Sequence, residues 1–122
     1  MKKSTGMITA AVVIIAAIFF FTGGNEVEAG RYDEFAKCIT ETGAIFYGSF
    51  QCTHCTTQKN LFGSSMQYVK YIECGPLGGP QTLACQQAGI NSYPAWDIKG
   101  NRYTGVQQLS KLAELTGCQL PQ

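Results

Sequence analysis

Beyond its first thirty residues this chain has roughly ninety left, the size of one small domain, and all six of its cysteines lie there. A domain that small has a high surface-to-volume ratio and buries a limited core, so covalent cross-links add useful stability. Two of the cysteines are separated by only two residues, in Cys52-Thr53-His54-Cys55, while Cys38, Cys74, Cys85 and Cys118 stand far apart. Nine basic residues against eight acidic ones leave a formal net charge of +1. There is no basic stripe to attract phosphate backbones, so nucleic acid is not an expected partner.

Whether cysteines stay bridged depends on the compartment, and the amino terminus bears on that. Met1-Lys2-Lys3 leads into an uncharged apolar run of sixteen residues, Met7 to Thr22, followed by Gly23-Gly24-Asn25-Glu26. As a helix it would span about 24 Å, a little short of the ~30 Å hydrocarbon core and long for a signal-peptide apolar region. Val27-Glu28-Ala29 before Gly30 fits a signal peptidase site, although it lies several residues past the run. The preferred reading of residues 1–22 is an uncleaved membrane anchor, and the alternative is a cleaved signal peptide. Both keep Lys2 and Lys3 in the cytoplasm and export everything after Gly30 into a compartment where disulfides persist. Residues 23–31 are polar and glycine-rich, a short tether, and the domain proper is 32–122.

Tyr32, Phe35, Ala36 and Ile39 recur at helical spacing and Gly43 follows, which predicts a helix from Asp33 to Thr42. Residues 44–50 (AIFYGSF) are short, apolar and aromatic, as in a strand buried on both faces. Cys52 to Ser65 carries Cys55, Leu61 and Phe62 at helical intervals, so the close cysteine pair should open a helix. Tyr68 to Cys74 alternates like a strand, residues 75–80 (GPLGGP) are loop, and Gln81 to Ala88 is a short helix closed by Gly89. Residues 95–98 and 103–106, around the turn Lys99-Gly100-Asn101-Arg102, predict a β-hairpin, and Leu109 to Leu115 a closing helix that ends at Gly117. This order joins a parallel βαβ half to an antiparallel hairpin: an α/β domain with a central mixed four-stranded sheet flanked by helices.

Thiol-disulfide exchange needs a thiolate to attack a disulfide sulfur and a second thiol within reach to resolve the mixed disulfide. A two-residue spacer at a helix start supplies both. The free N–H groups and dipole of the helix favour a thiolate at Cys52, a protonated His54 adds to that, and Cys55, one turn inside, is the natural resolver. Two other chemistries fit the spacing poorly. Zinc ribbons use two close cysteine pairs, whereas Cys74 and Cys85 are far apart, and haem attachment needs His directly after the second cysteine, where this chain has Thr56. No metal is expected.

Some forty residues after the dithiol comes Ser92-Tyr93-Pro94-Ala95-Trp96. A strand running into CxxC at a helix start, followed at this distance by Tyr93-Pro94, resembles the thioredoxin superfamily. The resemblance implies a thioredoxin-like fold in which Pro94 is cis, faces the dithiol and presents backbone to an extended substrate, with Tyr93 as the contact residue. More narrowly, Phe35-Ala36-Lys37, Gly43-Ala44, Phe46-Tyr47-Gly48, Cys52 to Cys55, Leu61-Phe62-Gly63, Tyr71-Ile72-Glu73-Cys74, Ser92-Tyr93-Pro94 and Leu112-Ala113-Glu114 resemble a domain fused to vitamin K epoxide reductase homologues of bacteria and plants. That likeness covers residues 32 to 118. It implies a DsbA-like role, in which electrons from newly exported, reduced proteins are relayed to a membrane quinone reductase. The chain departs from the superfamily at Gln51 and Thr53, where Trp and Pro are usual. It also has Phe46 where cytosolic thioredoxins carry a buried Asp, which counts against a general reductase.

The other four cysteines pair by predicted topology. Cys74 ends a strand and Cys85 lies in the helix beyond the glycine-proline loop, so a bridge closes about a dozen residues and contributes roughly 3 kcal/mol. Cys38 on the first helix and Cys118 past the last would tie the ends together, worth roughly 4 to 5 kcal/mol. Both pairs suit a structural role; for Cys74 and Cys85, a second redox pair shuttling electrons to Cys52 and Cys55 stays open.

The sequence therefore leads to the expectation of a membrane-anchored or secreted protein-disulfide oxidoreductase acting outside the cytoplasm. Its redox-active disulfide would serve in place of a bound cofactor. Its partners would be exported protein thiols, the membrane through residues 7–22, and a separate membrane protein like vitamin K epoxide reductase. The alternatives are a reductase or isomerase of exported disulfides, and a non-enzymatic module that holds metal or grips peptides through the Pro94 loop.

Overall fold

The computed structural model describes residues 28–122, and the predicted anchor or signal peptide lies outside the described residues. Among the described residues no helix is long and apolar enough to cross a membrane. The elements are helix α1 (Asp33–Glu41), strand β1 (Ile45–Gly48), helix α2 (Thr53–Phe62) continued by a 3-10 segment (Gly63–Tyr68), strand β2 (Tyr71–Glu73), helix α3 (Leu83–Ala88), strands β3 (Ala95–Ile98) and β4 (Asn101–Thr104), and helix α4 (Leu109–Thr116).

The four strands form one mixed sheet in the order β2-β1-β3-β4. β1 runs parallel to β2, with Phe46 opposite Tyr71, and antiparallel to β3, with Phe46 opposite Trp96. β4 completes the antiparallel hairpin. The α/β architecture with a central four-stranded sheet is thus the one expected from the order of elements.

Several boundaries differ from the periodicity-based ones, each for a local reason. β1 stops at Gly48 because the Cys52 N–H bonds back to the Ser49 carbonyl at 3.1 Å and turns the chain before the helix. α2 stops at Phe62 because Gly63 has φ 58 and ψ −135, which no α-helix continues. The 3-10 segment that follows consumes Tyr68, so β2 is shorter than the alternation of Tyr68 to Cys74 suggested. The hairpin turn has two residues, not four: Lys99 (φ 50) and Gly100 (φ 80) are both left-handed, and Asn101 already pairs with Ile98. Two successive positive φ values match the right-handed twist of the flanking strands.

Side-chain alternation along β1 divides the interior. Phe46 points into the larger cluster, stacked on Trp96 at 5.0 Å and edge-on to Tyr71 at 4.9 Å. Phe35, Ile39, Phe62, Leu112, Cys52 and Cys55 belong to the same cluster. Tyr47 points to the other face, with Cys74, Cys85, Ile90 and Ala95. Disulfides join Cys38 to Cys118 and Cys74 to Cys85, so one bridge ties α1 to the end of the chain and the other ties the end of β2 to α3.

Candidate active site

The turn between β1 and α2 decides where the dithiol sits. Buried Ser49 donates through its hydroxyl to the Gly75 carbonyl at 2.7 Å and accepts the Gln51 N–H at 3.2 Å, so the chain doubles back directly after the strand. Cys52 then takes an extended conformation and becomes the N-cap of α2. Its Sγ accepts the Cys55 N–H at 3.2 Å, in the way that serine or aspartate oxygens satisfy a free donor at a helix start. A thiolate at this atom faces the positive end of the helix dipole.

The two thiols are free and unequally placed. Cys52 is 7% exposed and Cys55 fully buried. Burial, followed by its hydrogen bond with Cys52, pushes the Cys55 thiol up to about 12. The pair therefore has an outer cysteine that keeps a little exposure and an inner one held as a neutral thiol, the division that thiol-disulfide exchange requires. His54 lies exposed in the first turn of α2, between the two.

The Tyr93-Pro94 peptide is cis. Pro94 is fully buried, and its carbonyl accepts the Gly105 N–H at 2.8 Å. Tyr93 is half-buried, packs against both core clusters and accepts a hydrogen bond on its hydroxyl from Gln81 Nε2 at 2.7 Å.

Three polar side chains around the dithiol escaped the sequence reading. Gln58 is fully buried one turn beyond Cys55. Its Oε1 accepts from Trp96 Nε1 at 3.0 Å and from the Gln107 N–H at 2.7 Å, and its Nε2 donates to the Gln107 carbonyl at 2.9 Å. A signal was present, since Cys55, Gln58 and Phe62 share one helical stripe. On β2, the Tyr71 hydroxyl donates to Glu73 Oε1 at 2.8 Å, and Glu73 Oε2 accepts the N–H groups of Phe50 (3.1 Å) and Gly75 (2.8 Å). Burial acts to raise the Glu73 carboxyl, but these three hydrogen bonds and the Lys59 charge outweigh it and hold the group below its ordinary range. Lys59 Nζ lies 4.1 Å above the Tyr71 ring. No pattern in sequence links β2 to the dithiol, because the parallel pairing of β1 with β2 is what brings them together.

The Cys74–Cys85 bridge is fully buried in the other cluster, and hydrogen bonds join its segment to the dithiol loop. The Cys74 N–H bonds the Gly48 carbonyl at 2.8 Å, and Gln51 Oε1 accepts the Leu77 N–H at 2.9 Å. Among the described residues no three His, Cys, Asp or Glu side chains converge as a metal-ligand set.

The geometry is that of a dithiol centre on a mixed α/β domain: a capping thiol, a buried partner thiol and a cis-proline directly before β3, the strand beside β1. No family model matches the chain. It is 40% identical over 92 residues to the thiol-disulfide oxidoreductase LTO1 of Arabidopsis thaliana, a match that takes in 71% of this chain and 24% of that protein. The chain thus spans about a quarter of the length of this relative.

Proposed function

We propose that this chain is a thioredoxin-like thiol-disulfide oxidoreductase that works outside the cytoplasm. It forms disulfides in exported proteins and passes the electrons to a quinone-reducing membrane partner. The observation that carries the reading is the asymmetry of the dithiol: Cys52 caps the helix and keeps 7% exposure, while Cys55 is sealed beneath it.

In the oxidised protein a substrate thiolate attacks Cys52 Sγ, the Cys52–Cys55 bond breaks, and Cys55 leaves as a thiolate that takes up a proton. A second substrate thiolate attacks the mixed disulfide and releases Cys52. The substrate has then lost two electrons and the protein holds the dithiol of the present structure. Reoxidation runs the same exchange against a disulfide of the partner. Tyr93 lines up the substrate chain beside Cys52, with Pro94 behind it.

Export is supported by Lys2 and Lys3 ahead of the apolar run and by two structural disulfides, which persist in oxidising compartments. The oxidoreductase assignment is supported by the similarity to the Arabidopsis protein, and the quinone-linked partner by the resemblance of residues 32 to 118 to domains fused to vitamin K epoxide reductase homologues. The test is oxidation of a reduced, disulfide-requiring test protein by the purified chain. Activity should vanish in Cys52→Ser, and undiminished activity in that variant would overturn the assignment. Equilibration with glutathione then reads direction, since a strongly reducing, thioredoxin-like potential would instead make the protein a reductase or isomerase.

A further inference from the structure

Cys55 cannot attack or leave without moving a proton, and it sits in an apolar cluster away from water. The groups that face it come from three elements. Its own helix contributes Cys52 and Lys59, β1 contributes Gly48 with the Ser49 backbone N–H just after it, and β2 contributes Tyr71, which carries Glu73 on its hydroxyl. Gly48 is the point of closest approach: the position a Cβ would occupy there is 3.1 Å from Cys55 Sγ and 3.2 Å from the Tyr71 hydroxyl. The sulfur and the phenol thus flank the bare glycine from two elements, and the phenol proton is already directed at the Glu73 carboxylate.

We propose that Tyr71 and Glu73 are the proton relay of the resolving cysteine, an inference that rests on the dithiol chemistry proposed above. When Cys52 is held in a mixed disulfide, the Cys55 thiol proton passes to the Tyr71 oxygen as the Tyr71 proton passes to Glu73 Oε1. The Cys55 sulfur then bonds Cys52 Sγ and expels the partner thiolate. The electron pair leaves on that thiolate, the Cys52–Cys55 bond replaces the mixed disulfide, and the proton passes through Glu73 to solvent. Run backwards, the same route delivers a proton to Cys55 as it leaves.

Tyr71 never needs to ionise, because it gains one proton as it gives up another. This accords with its raised phenol, for which burial is the main cause and Glu73 the next. Glu73 is held below the ordinary carboxylate range, so it keeps the proton only briefly and returns it to solvent, which resets the relay. Lys59, over the Tyr71 ring, favours negative charge on both Cys55 and Glu73.

The experiment uses an aromatic disulfide, dithiobis-nitrobenzoate, against the reduced chain. Attack by Cys52 releases one coloured thiolate in a bimolecular phase, and attack by Cys55 on the resulting mixed disulfide releases a second in a unimolecular phase. Tyr71→Phe keeps the ring against Phe46 and under Lys59, and Glu73→Gln keeps the side-chain shape. In both, the first release should be unchanged and the second about tenfold slower or more near neutral pH. The second release should also become steeper with pH, approaching about tenfold per unit, because hydroxide must now take the proton. Gly48→Ala, whose Cβ would part the sulfur from the phenol, should slow the second phase with both relay residues intact. A second phase with wild-type rate and pH dependence in Tyr71→Phe and Glu73→Gln would overturn the relay while leaving the dithiol assignment in place. Absence of both phases in the unaltered chain would instead remove the dithiol assignment, and the relay with it.

Discussion

The Trp96 indole N–H donates to the buried carboxamide of Gln58 at 3.0 Å, tying the helix of the dithiol to the strand that follows the cis-proline. Gln58 lies one turn beyond Cys55 and Trp96 two residues beyond Pro94, so this bond fixes the distance between the two halves of the site. Two further bonds of the carboxamide go to the Gln107 backbone, and no buried polar side-chain atom is left without a partner among the described residues.

Replacing Gln58 should therefore do more than open a small cavity. Gln58→Ala strands the Trp96 N–H in a fully buried setting and both backbone groups of Gln107 in a part-buried one, with an expected loss of about 2 to 4 kcal/mol. Gln58→Leu refills the volume without the bonds and should recover little. Urea denaturation of both variants checks this, and near-equal stability of Gln58→Leu and wild type would contradict it.

His54 is exposed in the first turn of α2. Its removal should leave stability unchanged and make the Cys52–Cys55 disulfide less oxidising. The expected shift is on the order of 30 mV, about 1.4 kcal/mol for a two-electron couple. Equilibration of His54→Ala with glutathione measures it; a potential equal to wild type would assign the residue no redox role.

The buried Cys55 thiol gives the reduced protein a pH dependence with a definite sign. Its folded value is raised to about 12, while in the unfolded chain it ionises near ~8.5. Between those values the unfolded state binds fewer protons than the folded one, so stability falls as pH rises. The contribution is fully present below ~8.5 and is lost progressively above it. Urea midpoints of reduced wild type and Cys55→Ala, compared at neutral and alkaline pH, should converge or cross as pH increases. The oxidised form, with no thiol to ionise, should lack this effect.

The two structural bridges should differ in weight. The Cys38–Cys118 bridge spans 80 residues and Cys74–Cys85 spans 11. Chain-entropy estimates give about 4.5 and about 3 kcal/mol respectively, so the double-alanine variant of the long bridge should unfold at the lower denaturant concentration. Removing the short bridge should have a second effect, on reactivity. It frees the segment whose Leu77 N–H holds Gln51, next to Cys52, and should change the rate of Cys52 alkylation.

The local residue pattern was enough to place the dithiol. An apolar strand, a turn and a helical stripe locate Cys52 and Cys55 at a helix start without reference to any distant residue, and short-range periodicity reports that kind of arrangement well. The order of elements likewise implied the mixed sheet, because parallel crossovers and hairpins have few compact solutions. Segment ends were less legible: Gly63 interrupts α2 and Lys99 joins Gly100 in the hairpin turn through backbone angles that periodicity does not report. Gln58 was legible only as a polar residue on an apolar stripe, and its bonds to Trp96 and Gln107 came with the packing of α2 on β3. The placement of Tyr71 and Glu73 beside Cys55 was decided by tertiary structure alone. It depends on the register of β1 against β2 and on the absence of a side chain at Gly48, and strand register is a property of the assembled sheet, set by contacts between segments far apart in the chain.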